Sequence, residues 1–178
     1  MDDLEFKIQA AQRFLLKIPD TIPDKPEFLE ENAEAFLFFA AGAIEVLKRQ
    51  INDKFEIFDK ENVFYIYGLK KALSDYGEQK KVKDAISHYF TTPKRSLPRI
   101  DTSKSGLWRL QALRNQSMHG SIIKRHGKSL LFLYTIHEAS QTWQFTQRTA
   151  NPRRYFGQIM ENMTRFAAQI RLSLGNSA

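Results

Sequence analysis

Cysteine is absent from the 178 residues of this chain. Its absence excludes disulfides, thiolate zinc sites and thiol nucleophiles, and it suits a reducing compartment. The chain also opens on the acidic residues 1–5, without the basic start and apolar stretch of a secretory signal. Its longest apolar run, Ala35 to Ile44, has ten residues, about half of what a membrane span requires. We therefore expect a cytoplasmic protein without a membrane helix.

Acidic residues are scarce in the second half of the chain. Residues 91–178 contain 14 lysines and arginines, ten of them arginines, but only Asp101, Glu138 and Glu161 as acids, a net charge of +11. Residues 1–90 are slightly acidic, with 17 acidic and 13 basic residues. A one-sided excess of arginine attracts polyanions and binds phosphate through paired hydrogen bonds. The charge therefore favours a nucleic acid as partner, and the alternative is that the acidic half packs against the basic half.

Several familiar kinds of site are also missing. The chain has no glycine-rich phosphate loop, no nucleophile elbow and no pair of catalytic carboxylates. His88, His126 and His137 share no metal-ligand spacing and have no carboxylate cluster beside them. We therefore expect neither a metal nor another cofactor.

The hydrophobic periodicity predicts a helical protein with one small sheet. Helical spacing is found in six segments: Leu4 to Ile18, Glu27 to Ile51, Asn62 to Ser74, Glu78 to Phe90, Asp101 or Ser103 to Met118, and Pro152 to Leu174 with Asn151 as its cap. Thr91 to Ser103 is predicted to be a basic loop. Between the last two helices the period becomes extended, with a hairpin over 121–136 that turns at His126-Gly127 and a third strand over 142–146. The prediction is one domain, 1–178, all-α apart from a β-hairpin or three-stranded sheet inserted at about 121–147.

One short segment combines residues that suit work on a phosphodiester. Residues 113–120 read Leu-Arg-Asn-Gln-Ser-Met-His-Gly at a predicted helix end. The His119 imidazole can exchange a proton near neutral pH, Arg114 keeps its charge, and Asn115 adds a carboxamide. On a straight helix Asn115 and His119 lie about 40° apart, but Arg114 and His119 lie about 140° apart. The alternative is that the two cations complement the negative helix end, which Gly120 terminates.

This segment resembles the signature of the HEPN superfamily (higher eukaryotes and prokaryotes nucleotide-binding), an arginine followed after four to six residues by a histidine, often with asparagine directly after the arginine. The resemblance implies a HEPN-like helical bundle with the motif late in the chain. Active members of that family resemble metal-independent endoribonucleases that bring two copies of the motif together in a dimer. For this chain it implies Arg114 and His119 as the catalytic pair, with Asn115 as polar helper.

The resemblance also implies the reaction and the partners. The ribose 2′-hydroxyl of RNA would attack the adjacent phosphorus while His119 moves a proton and Arg114 stabilises the phosphoryl oxygens. A homodimer is expected, together with a restraining protein of antitoxin or nucleotidyltransferase-like type. The alternative is a non-catalytic HEPN-like module that binds nucleotide, RNA or a protein, because many relatives keep the fold in that role.

Further cations follow the motif. Lys124, Arg125 and Lys128 are expected to hold RNA backbone across the hairpin turn. Arg153 and Arg154 lie in the first turn of the last helix, where a bound phosphate would offset their unfavourable position. Both groups could equally be ordinary exposed or ion-paired residues. The aromatic residues of the first half, Phe36, Phe38, Phe39, Phe55, Phe58, Phe64, Tyr65 and Tyr67, are predicted to be core or dimer interface rather than stacking platforms for bases.

Overall fold

Six helices and three strands occur in the part of the chain that the computed structural model describes, residues 1–59, 65–91, 106–117, 124–126, 128–138 and 141–175. In chain order they are α1 (Asp3–Lys17), α2 (Glu27–Phe55), α3 (Ile66–Ala72), α4 (Gly77–Phe90), α5 (Leu107–Ser117), β1 (Lys124–His126), β2 (Ser129–Glu138), β3 (Gln141–Thr149) and α6 (Pro152–Ser173). The predicted class, a mostly helical protein with a small sheet before its last helix, is confirmed. None of the described helices is long and apolar enough to cross a membrane.

The long helix α2 lies at the centre of the helical packing. It contacts α1, α3, α5 and α6. Its predicted apolar face is buried throughout, at Leu29, Ala33, Phe36, Ala40, Ala43, Leu47 and Ile51. Leu37 and Ile44 add a second buried face, whereas Phe38 is exposed. A helix that is apolar on two faces must be covered on both, which α1 and α6 help to do.

The last helix, α6, begins as its sequence predicts. Asn151 caps it by accepting a hydrogen bond from the Arg154 backbone N–H over 2.7 Å, and Pro152 fills the first helical position. The predicted apolar face is buried, at Phe156, Ile159, Met163, Phe166, Ile170 and Leu174. This face packs against α1, α2, α4 and α5, so α6 closes the bundle.

The sheet is antiparallel, with strand order β1-β2-β3. Alternate residues of β2, namely Leu130, Phe132 and Tyr134, are buried, as expected when one face of a strand packs on a core. Phe132 stacks on Tyr155 of α6 with ring centroids 4.4 Å apart. The inserted sheet is therefore part of the common core.

Some predicted boundaries differ from the structure. His126 is paired with Ser129 as the last residue of β1, so the hairpin turns after it rather than at it. The third helix begins only at Ile66, because Tyr65 is extended, and the predicted residues 62–64 lie outside the described part. The fifth helix begins at Leu107, and the earlier starts predicted at Asp101 or Ser103 lie outside it too. So do Met118 and, apart from Thr91, the predicted basic loop.

Candidate functional site

Helix α5 presents two of the three motif residues to solvent. Its residues Leu107, Leu110 and Leu113 are buried and fix the rotation of the helix against the core. Successive residues lie about 100° apart around a helix. Arg114 and Asn115, which follow the buried Leu113, therefore point away from the core, and both are exposed. His119 lies outside the described residues. The structure thus brings Arg114 and Asn115 to one surface, two residues before the observed end of α5 at Ser117.

A cavity of about 440 Å³ lies beside Arg114 and Asn115. We call it the motif cavity. Its walls come from α2, from the start of α3, from the end of α4 and from α5. Leu107, Leu110 and Phe90 give it an apolar base, while Gln111 and the two motif residues give it a polar side. Apolar walls with a few convergent polar groups are typical of sites that bind small molecules or parts of larger ones.

The motif cavity also contains a buried cation. Lys48 of α2 is only 7% exposed, and its Nζ lies 2.7 Å from the Glu45 carboxylate, which is more exposed. Both side chains line the cavity. Lys48 thus pairs with Glu45, and Arg114 in the same wall is exposed. Sequence reasoning missed Lys48, because a lysine at the edge of an apolar helix face gives no local signal.

Tyr65 stands at the edge of the motif cavity. It is 72% exposed and lines the cavity with Arg114 and Asn115. Its backbone is extended, with φ −80° and ψ 148°, at the residue that precedes α3. Of the two roles predicted for Tyr65, a place in the core is therefore wrong, and a place in a dimer interface stays a prediction. Phe36, in contrast, is buried as predicted, and Phe64 lies outside the described residues.

The two arginines at the start of α6 have different surroundings. Arg153 Nε donates to the Ile18 carbonyl oxygen over 2.7 Å, and Nη1 lies 2.9 Å from the Asp20 carboxylate. Arg153 therefore fastens α6 to the end of α1. Arg154 is exposed and lines a second cavity of about 410 Å³. Pairing with a nearby acid, the alternative given above for both residues, is found for Arg153.

The second cavity, which we call the arginine cavity, contains two further arginines that sequence reasoning missed. Arg109 of α5 and Arg148 of β3 line it together with Arg154. Arg109 is 1% exposed, and its guanidinium carbon lies 5.1 Å from the centre of the Tyr155 ring. Burial lowers the pKa of Arg109, while contact with the Tyr155 hydroxyl raises it. Arg109 stays positively charged despite the lowered pKa, because a guanidinium group does not lose its proton in a protein.

Among the three cations predicted at the hairpin, the structure describes the side chain of one. Lys128 is exposed in the turn between β1 and β2. Lys124 and Arg125 belong to β1, where their backbones pair with Leu131 and Leu130, and their side chains lie outside the description. Of these three residues only Lys128 has a described side chain, and it lines neither cavity.

Comparison with known proteins gives no match for this chain among protein-family models, curated proteins or solved structures.

Proposed function

We propose that this chain is a HEPN-like, metal-independent endoribonuclease in which Arg114, Asn115 and His119 act on RNA. The observation that carries the proposal is the joint exposure of Arg114 and Asn115 on α5, at the wall of the motif cavity. A helical bundle with a late motif and a basic second half supports it further.

The chemistry follows from the residue types. The 2′-hydroxyl of a ribose attacks the adjacent phosphorus, and the bond from phosphorus to the 5′-oxygen of the next nucleotide breaks. His119 accepts the proton of the hydroxyl or delivers one to the leaving oxygen. Arg114 stabilises the charge on the non-bridging oxygens, and Asn115 orients the imidazole or the phosphate. The products are a 2′,3′-cyclic phosphate and a 5′-hydroxyl, and DNA resists because it lacks the nucleophile.

The motif cavity favours single-stranded RNA. Tyr65 is an exposed ring beside Arg114, and unpaired bases stack on such rings for about 1–3 kcal/mol each. Bases in a duplex are already stacked on each other and cannot use the ring in this way. We therefore propose that one base next to the cleaved phosphate stacks on Tyr65.

The proposal includes an assembly and a cellular setting. A homodimer would bring two copies of the motif to one cleft, so that two imidazoles could divide the roles of base and acid. The activity would act in the cytoplasm, where its RNA substrate is present, and a protein of antitoxin or nucleotidyltransferase-like type would restrain it. Unrestrained expression should then slow growth.

The test uses purified protein, a single-stranded RNA and EDTA. The wild type should release fragments that end in a 2′,3′-cyclic phosphate, and Arg114→Ala and His119→Ala should each lose at least 100-fold in rate, about the contribution of one general acid or base. Arg165→Ala is the matched control, because Arg165 is an exposed arginine of α6 whose partner is Glu161. It should cleave like the wild type. The same RNA with a single 2′-deoxy residue at the cleavage position should resist.

Three results would reject the proposal or replace it. Cleavage that survives Arg114→Ala or His119→Ala would assign the activity to another site or to a contaminant. Cleavage of the 2′-deoxy substrate would reject attack by the 2′-hydroxyl. RNA binding without cleavage by the wild type would identify the chain as the non-catalytic module.

A further inference from the structure

We infer that the arginine cavity is a second binding site, separate from the motif cavity, for a ligand that carries a terminal phosphate. None of the described residues lines both cavities. The arginine cavity lies between the start of α5, the end of β3 and the start of α6. The inference goes beyond the proposed function, because it does not depend on Arg114 or on cleavage.

The charge of the arginine cavity selects an anion. Arg109, Arg148 and Arg154 line it, and the other residues that the structure describes around it are uncharged: Gln147, Thr149, Ala150, Asn151, Tyr155 and Gln158. Tyr155 stays neutral because burial raises the pKa of its hydroxyl. Among the described residues of this wall, three are positively charged and none is acidic. Three like charges around one small space repel each other, and a bound anion removes that repulsion.

The fold holds the Arg109 side chain and positions the backbone of Arg148. Arg109 is packed between the Tyr155 ring and Gly106, where a Cβ on Gly106 would lie only 3.2 Å from its Nη2. Arg148 belongs to β3 and is paired with Leu131 of β2. These contacts hold the Arg109 side chain and the Arg148 backbone in place before any ligand binds, which reduces the ordering that binding requires.

A tight corner between β3 and α6 places Arg148 and Arg154 at the same cavity. The Thr149 hydroxyl donates to the Asn151 carbonyl oxygen over 3.0 Å and accepts from the Asn151 N–H over 3.2 Å. Asn151 in turn caps α6 through the Arg154 N–H. The corner therefore holds the end of the strand and the first turn of the helix together, with both guanidinium groups at one cavity.

Phosphate is the anion that fits this arrangement. A guanidinium offers parallel N–H donors that match two phosphate oxygens, and a terminal phosphate presents up to three such oxygens. Amide groups from Gln147 and Gln158 add neutral donors in the same wall. The volume of about 410 Å³ lies within the roughly 300–1,000 Å³ of small-ligand pockets. The phosphate could belong to a free mononucleotide or to the 5′ end of an RNA.

Titration calorimetry at fixed salt tests the inference, with AMP and adenosine as the first pair of probes. AMP should bind and adenosine should not, because only AMP carries the phosphate. Arg148→Gln and Arg154→Gln should each weaken AMP at least about tenfold, as expected when a hydrogen bond between charged groups is removed. Arg165→Gln is the control on another surface and should bind AMP like the wild type. The RNA cleavage test depends on Arg114, whereas the AMP test depends on Arg148 and Arg154. Failure of one proposal can therefore be distinguished from failure of the other.

A second pair of probes separates the sources of phosphate. A four-nucleotide RNA with a 5′-phosphate, methylated at its 2′-oxygens so that it cannot be cleaved, should bind, and the same RNA with a 5′-hydroxyl should bind at least tenfold more weakly. A phosphorylated RNA that binds more tightly than AMP would identify RNA ends as the ligand, and the reverse order would identify free nucleotides. Equal binding of the two RNAs would overturn the terminal-phosphate inference. AMP binding that is absent, or that is unchanged in both Arg148→Gln and Arg154→Gln, would overturn the site.

Discussion

The Arg153 guanidinium donates from Nε to the main-chain oxygen of Ile18, 135 residues earlier in the chain, over 2.7 Å. The Arg153 backbone N–H also donates to the Pro19 oxygen over 3.3 Å, and the side chain pairs with Asp20. The last carbonyl groups of a helix have no partner within the helix. Arg153 therefore satisfies the end of α1 from the start of α6, whereas Arg154 beside it faces a cavity.

This difference predicts opposite roles for two neighbouring arginines. Arg153→Gln should lower the free energy of unfolding by about 1 kcal/mol, because it removes charged hydrogen bonds in a partly exposed position. Arg154→Gln should stay within about 0.5 kcal/mol of the wild type, as exposed positions usually do. Urea unfolding followed by circular dichroism measures both. Equal loss in the two variants would contradict the role assigned to Arg153.

The elements that could be predicted from the sequence are those specified locally. The start of α6 is specified by Asn151-Pro152, and the buried face of α2 by its apolar spacing. The sequence predicts too early a start for α3, because the helical spacing continues back through Tyr65, where the backbone is extended. No local pattern distinguishes an aromatic ring in the core from one at the edge of a cavity.

The candidate sites were predictable to different degrees. Arg114 and Asn115 could be singled out because both lie in one short motif, and α5 then presents them together. The arginine cavity could not be predicted as a whole. Arg109, Arg148 and Arg154 come from three elements, and the packing of α5, the sheet and α6 on one another brings them to one space. Their separation in sequence removes any spacing signal.

Gly106 provides a test of the packing around Arg109. A Cβ at position 106 would lie 2.6 Å from Asn162 Nδ2 and 3.2 Å from Arg109 Nη2. Asn162 is buried and donates to the Gln158 oxygen over 2.8 Å, so it cannot move without cost. Gly106→Ala should therefore lower the free energy of unfolding by about 1–2 kcal/mol through overpacking, measured by urea unfolding.

Gly157→Ala is the matched control for that substitution. Gly157 lies inside α6, and a Cβ there would meet nothing within 4 Å. Alanine should raise the free energy of unfolding by about 0.5–1 kcal/mol, because glycine is a poor helix former. If Gly106→Ala were stabilising as well, the close contact with Asn162 and Arg109 would be refuted.

Glu56 ends α2 in a conformation that favours glycine. Its φ is 49° and its ψ is 46°, in the left-handed region, and its N–H donates to the Asn52 oxygen over 2.7 Å. This backbone conformation costs a residue with a Cβ about 1–2 kcal/mol. Glycine removes that strain, but it also raises the conformational entropy of the unfolded chain, which offsets part of the stabilisation. Glu56→Gly should therefore raise the midpoint of thermal unfolding by a few degrees. Glu56→Ala keeps the strain and should give no comparable increase; an equal rise in both would show that the Glu56 side chain, rather than the backbone, is responsible.

Glu34 of α2 should make stability depend on pH. Burial raises its pKa above the ordinary 4.5, and the Glu30 carboxylate one turn earlier raises it further. The folded state therefore binds a proton more readily than the unfolded state, and stability falls as pH rises from 4.5 through the folded pKa. Glu34→Gln removes the penalty and should raise the free energy of unfolding at pH 7 by up to about 0.5 kcal/mol, the size of a like-charge pair one helical turn apart.

The gain from Glu34→Gln should shrink as pH falls toward 4, where the wild-type carboxyl is protonated in the folded state. Urea unfolding at pH 4 and pH 7 measures this difference. The same substitution in a Glu30→Gln background should give a smaller gain at pH 7, because one cause of the raised pKa is then absent. A gain of the same size at both pH values would show that the effect comes from packing rather than from charge.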